Sequence, residues 1–172
     1  QTLDTGHDGI FFDNPTVHPD GCYCAHCMEK FAAFLQTSPA AALVGNGQGD
    51  STEAMRKIAV ANPHLFLQFR STIARDFLTE MRSFARSIAP EALITCNNSL
   101  NSPDRLYAQS RMHGYNIYEM SQAEDFVLVE DMVTQPRTTP EGQTVEYGPT
   151  YKQLHAIGHG KPNDYWKVIV PV

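Results

Sequence analysis

Asp8-Gly9-Ile10-Phe11-Phe12-Asp13-Asn14-Pro15 holds a short apolar run that breaks off at a carboxylate, a carboxamide and a proline. Such a run reads as a buried strand, Gly9 to Asp13, passing directly into a loop with Asp13 at its carboxyl end. The arrangement recurs downstream. Ala92-Leu93-Ile94-Thr95-Cys96 predicts a second strand that stops at Asn97-Asn98-Ser99, and Phe126-Val127-Leu128-Val129 predicts a third that runs into Glu130-Asp131. Trp166 to Val170 predicts a fourth.

Between these strands the apolar period changes from two to about 3.6. Met28, Phe31, Phe34 and Leu35 predict a helix from Ala25 to about Gln36. Three glycines between Gly45 and Asp50 break the chain, after which Asp50 or Ser51 offers an N-cap with Glu53 close behind. Asn62-Pro63 starts a further helix, since proline suits a first turn. In it Phe66, Phe69, Ile73, Phe77, Met81, Phe84 and Ile88 keep to one face until Pro90 ends it. Ser102-Pro103-Asp104 opens a weaker helix to about His113, Val133 to Gly148 reads as a loop, and Tyr151 to Ile157 as a short helix.

Apolar strands alternating with helices predict a parallel sheet covered on both faces. Carboxylates and carboxamides at three successive strand ends favour a (β/α)8 TIM barrel over an open doubly wound sheet, because a barrel collects its site from several strand ends and an open sheet from one switch point. A complete barrel needs about 250 residues, so the 172 residues are expected to be one partial barrel domain, 1–172. It would cover about four central β/α units and be cut at both ends. Gln1 in place of Met fits that expectation, as does Val168-Ile169-Val170, which looks like a strand stopped before its connection. An opened barrel exposes two unpaired sheet edges, so the isolated piece is not expected to be stable.

A net charge of −6 leaves no basic stripe to release counterions from phosphates, which argues against nucleic acid and anionic membrane as partners. The sequence holds neither an apolar run of about 18 residues nor a basic start followed by an apolar stretch, so neither a membrane span nor a signal peptide is visible, although a missing N-terminal part could have carried a signal. Localisation stays open, as does a homo-oligomer.

Cys22, Cys24 and Cys27 fall within six residues while Cys96 stands far away, which favours metal or redox chemistry over a disulfide framework. Gly21-Cys22-Tyr23-Cys24-Ala25-His26-Cys27 places three thiolates within reach of one tetrahedral ion, and zinc is the expected metal. His18, His26, Cys96 or a cysteine outside these residues are the candidate fourth ligands. The rival is thiol–disulfide exchange by Cys24 and Cys27, a C-x-x-C at a helix start. Against it stand the extra Cys22 and the spacing from Asp13. A zinc deaminase would need an H-x-E partner motif, which the chain lacks.

A strand ending in a polar pair, then Cys22-Tyr23-Cys24-Ala25-His26-Cys27 and Phe31, resembles the family 42 glycoside hydrolases, mainly β-galactosidases. The resemblance implies a structural zinc on Cys22, Cys24 and Cys27 with a fourth cysteine from an earlier loop. That family ends the corresponding strand in Asn-Glu, the Glu being the acid/base, whereas this chain has Asp13-Asn14, so that role does not carry over. Asp8 to Asp13 is similar instead to a strand of α-L-fucosidases and related barrel hydrolases, which implies Asp13 as a nucleophile. Together the two resemblances cover little more than thirty residues.

Glycosidases set two carboxyl groups across the scissile bond. The expected pair is Asp13 as nucleophile or base and Glu130 as acid/base, with Asp131 in reserve. Asn14, His18, Asn97, Asn98 and Asp131 are the candidate contacts to a carbohydrate substrate. Each has a plainer reading: loop caps for Asp13, Asn97 and Asn98, a solvated strand end for Glu130 and Asp131, a surface position for His18. Tyr118 and Glu119 can line the same mouth or serve packing and surface. Tyr23 and Trp166 would stack on a sugar ring if they reach the cleft, with core packing the favoured role for Trp166. The remaining alternative is a non-catalytic barrel that binds glycan or acts as a scaffold.

Overall fold

A computed structural model describes residues 6–17, 21–39, 44, 51–99, 103–130, 138–144, 148–158 and 166–169. Four strands and six helices follow in the order β1 (Gly9–Phe12), α1 (Ala25–Thr37), α2 (Thr52–Ala61), α3 (Pro63–Ile88), β2 (Leu93–Ser99), α4 (Pro103–His113), α5 (Ile117–Ala123), β3 (Val127–Glu130), α6 (Gly148–Gly158) and β4 (Trp166–Ile169). None of these helices is long and apolar enough to cross a membrane.

The strands are parallel and lie in chain order, β1-β2-β3-β4. This overturns the eight-stranded barrel. Among the described residues β1 pairs with β2 alone and β4 with β3 alone, so four strands form an open sheet and do not close. Alternation of strand and helix dictates parallel pairing, but it holds no information on closure, which depends on the number, tilt and stagger of all strands together.

β2 runs past its expected end at Cys96 and takes in the polar trio. It pairs with β1 through Leu93 to Cys96 and with β3 through Asn97 to Ser99. Gly9 is needed at the first of these pairings: a Cβ there would lie 2.3 Å from the Leu93 carbonyl oxygen. Ile94, Cys96 and Val127, with Ile10 and Phe12 beside them, form one core with Ala74, Leu78 and Ala85 of α3 and Ile117, Met120 and Ala123 of α5. Right-handed crossovers between neighbouring parallel strands bring such helices to one face of a sheet. Phe11, on the opposite face, is 47% exposed.

A second core lies apart from the first. Met28, Phe31 and Leu35 of α1, Met55, Ile58 and Ala59 of α2 and Leu65, Phe66 and Phe69 of α3 enclose it. Phe31 is its centre, with the Phe66 and Phe69 rings each 5.3 Å away. Ser51 caps α2 by accepting from the Ala54 amide, as expected. α3 departs from expectation in its second half. Phe77, Phe84 and Ile88 are 41, 63 and 53% exposed, while Ala74, Leu78 and Ala85 are buried. At about 100° per residue, the two halves of α3 bury faces turned roughly a third of a turn from each other, because each half serves a different core. The sequence stripe is real, but in the second half it is mostly exposed, with Phe77 meeting the Phe12 ring edge-on at 5.5 Å.

Candidate functional site

The carboxyl end of the sheet gathers three of the expected polar residues. Asp13 follows the last residue of β1, is exposed, and accepts a hydrogen bond from Asn97 Nδ2 at 3.1 Å. Phe12 pairs with Cys96, so Asp13 and Asn97 share a register level and a face opposite the helix-packed side chains of Ile94 and Cys96. Glu130 pairs with Ser99, two residues beyond Asn97 and of the same parity. The side chain of Glu130, together with His18 and Asp131, lies outside the described residues, as does the side chain of Trp166.

Asn98 is placed differently from the expectation of a shared sugar-binding edge, whereas Asn14 follows Asp13 at that edge. Asn14 is exposed in the left-handed region at φ 47°, which Asn tolerates, and its carbonyl accepts from the Thr16 amide. Asn98 is fully buried on the core side: its amide donates to Glu124 Oε1 at 2.8 Å and its oxygen accepts from Tyr115. Strand alternation turns Asn97 and Asn98 to opposite faces. Tyr118 is exposed, and Glu119 is engaged by Arg75 in an ion pair.

Cys22, Cys24 and Cys27 come together as the sequence motif requires, their sulfurs all within 4.8 Å of one another. Sulfurs on a tetrahedral zinc are about 3.8 Å apart, given Zn–S bonds of about 2.3 Å, so a small contraction suffices to bind one ion. Cys24 sits at the N-cap of α1. Cys96 is excluded as a fourth ligand, being buried in the sheet core with its thiol donating to Glu124. His26 does not join the group either. The loop is held against the second core. Tyr23 stacks on Phe66 at 4.8 Å, and the Tyr23 carbonyl accepts from Arg56 Nε at 2.7 Å. Gly21, at φ 76°, passes so close to α3 that a Cβ would lie 3.0 Å from the Phe66 ring.

The open amides of Cys27 and His26 and the neighbouring Cys22 and Cys27 thiols lower Cys24 to about 7, whereas burial and the two adjacent thiols push Cys27 up to about 12. In metal-free, reduced protein Cys24 is therefore expected to react first with iodoacetamide. Its rate should rise with pH through a midpoint near 7 as the thiolate forms, with Cys27 silent over the same range. Mass mapping of the alkylated cysteines against pH checks this, and preferential labelling of Cys27 would contradict it.

The most heavily bonded acids escaped the sequence reading. Glu124 and Asp125 link α5 to β3, and both are buried. Glu124 Oε1 accepts from the Cys96 amide at 2.9 Å, the Cys96 thiol at 3.0 Å, Asn98 Nδ2 at 2.8 Å and Thr95 Oγ1 at 3.3 Å. Asp125 Oδ2 accepts from the Ile94 amide, and its Oδ1 from Arg82 and Arg86. These side chains take amides of β2 that point toward β3 before the β2–β3 ladder begins at Asn97. Burial and the Glu124 charge push the Cys96 thiol and the Tyr115 hydroxyl upward, so both stay protonated near neutrality. Arg82 and Arg86, one helical turn apart, were the available signal. Two arginines on one helix face are most often simply solvated, so that signal did not by itself point to a buried acid.

Compared with known proteins, the chain matches no family profile, no curated sequence and no solved structure.

Proposed function

We propose that this chain is a glycoside hydrolase whose Cys22, Cys24 and Cys27 bind a structural zinc ion. The observation that carries the reading is the Asp13–Asn97 contact at the carboxyl edge of the parallel sheet, the edge at which α/β proteins place their ligands. Asn97 orients the Asp13 carboxylate, and Glu130 stands one strand beyond it at the same edge. Strands flanking a common neighbour are about 10 Å apart, and Glu130 lies two residues, about 6.6 Å, further along than Asp13, so the two backbones are about 12 Å apart and the side chains have to lean toward each other to reach the separations of roughly 5 to 9.5 Å that glycosidase carboxyl pairs adopt. In this reading Asp13 attacks the anomeric carbon or activates water, and Glu130 protonates the leaving oxygen. The zinc cross-links the loop after β1 to the start of α1, three thiolates leaving little room for an open catalytic position.

The test is hydrolysis of a panel of aryl glycosides by zinc-loaded protein. Release of the aryl alcohol from at least one sugar, abolished by changes at Asp13 and Glu130, supports the reading. Glycan binding without hydrolysis would mean a binding module instead. The exposed, acidic Cys24 thiol at a helix start favours thiol–disulfide exchange as the second reading. Turnover of a model disulfide by zinc-free protein, suppressed when zinc is added, would establish it.

A further inference from the structure

The two cores share no residue, and α3 is the one element that enters both. α1 and α2, 13 and 10 residues long, pack on each other and on the first half of α3. From Cys22 to Arg70 the unit spans about 50 residues, little above the size of about 40 under which a hydrophobic core standing alone commonly needs a metal or disulfide to hold it. Its first helix is also poorly supported at its start. α1 has no side-chain cap hydrogen bond and no acidic residue in its first turn. What fixes that start is the loop of Cys22 to Cys27, and Tyr23 in the same loop reaches α2 through Arg56 and α3 through Phe66. The sheet core has fastenings of its own, in Asp125 with Arg82, Arg86 and the Ile94 amide.

We propose that metal occupancy of the Cys22–Cys24–Cys27 triad switches the α1–α2 unit between a closed and an open state while the sheet core stays folded. The proposal rests on the metal-binding part of the reading above, and not on hydrolysis. With the ion bound, the loop is a rigid corner from which α1 leaves at a fixed angle, holding Phe31 against Phe66 and Phe69. With the ion removed, the corner is held only by the Tyr23–Phe66 packing and the Arg56–Tyr23 hydrogen bond, and the unit opens locally. The boundary falls near Arg70, whose guanidinium donates to the carbonyls of Arg111 and Met112 at the end of α4 and so anchors α3 to the sheet side.

The experiment is hydrogen exchange with mass spectrometry on the full chain, first with zinc bound, then after zinc removal by a chelator under reducing conditions, then after zinc is restored. Amides of α1 and α2 should lose protection by about 100-fold or more on removal, those of β2, α5 and the second half of α3 should change little, and readdition should reverse the loss. Equal loss in both regions, or no loss although the ion has left, overturns the switch. Failure of the starting protein to bind one zinc ion per chain overturns the metal reading itself and is seen before any exchange is measured. Cadmium loaded in place of zinc should restore the same protection, because the effect depends on cross-linking three thiolates and not on zinc alone.

Discussion

Asp125→Ala is expected to destabilise the protein by about 3 kcal/mol. The carboxylate is 2% exposed and has three donors: Arg82 at 2.6 Å, Arg86 at 2.7 Å and the Ile94 amide at 2.8 Å. Breaking a buried ion pair from one side costs about 3–5 kcal/mol, mostly because the remaining groups are left without a partner. The lower end applies here. Arg82 and Arg86 are 25 and 37% exposed and recover some hydration when the acid is removed, whereas the Ile94 amide recovers none. For a chain of this size the melting temperature should fall by about 6–12 °C, at about 2–4 °C per kcal/mol. Asp125→Asn should cost about half as much, since its oxygen still accepts from one donor while the charge is lost. Urea denaturation of both variants gives the values. A loss below about 1 kcal/mol for the alanine variant would mean that the clamp between α3 and β2 contributes little to the fold.

In the hydrolysis assay, Asp13→Asn and Glu130→Gln are each expected to lower kcat by about 10²–10⁴-fold, the range in which one general acid or base contributes. Both changes preserve shape and remove only the capacity to ionise, and Asp13 is exposed, so the Asp13 variant should melt like the parent. Asn97→Ala removes the hydrogen bond to Asp13 and should cost about 1.5–3 kcal/mol of transition-state stabilisation, a bond to a charged acceptor. Asn97→Ala should act mainly on kcat, because the group orients a reacting carboxylate and does not bind sugar uniformly. If Asp13 is a nucleophile, added azide should restore turnover to an Asp13→Ala variant through a glycosyl azide. Variants at Asp13 and Glu130 that keep activity within a few-fold would remove the pair from the mechanism.

The four strands, α1, the start of α3 and the thiolate cluster were all legible in the sequence because each depends on neighbours within a few residues. Apolar runs mark β1 and β3, Pro63 marks the start of α3, and a C-x-C-x-x-C motif cannot place its thiols far apart. Asn97 and Asn98 were visible as polar residues, but period-two alternation inside β2 sends one to Asp13 and the other to Glu124. That split was hidden because the polar trio looked like a strand's end.

What the sequence by itself determined is local: helix, strand, parallel sense and the metal-ligand spacing, all set by side-chain period and short-range sterics. The tertiary structure alone decided that the four strands among the described residues form an open sheet, that α3 turns a different face to each core, and that Glu124 and Asp125 are buried partners of β2. Those outcomes depend on contacts between residues far apart in the chain, such as Glu124 with Asn98, 26 positions apart, Arg82 with Asp125, 43 apart, and Asp13 with Asn97, 84 apart. No local preference encodes such a pairing, because the energy of a buried carboxylate depends on which donors surround it once the chain has folded.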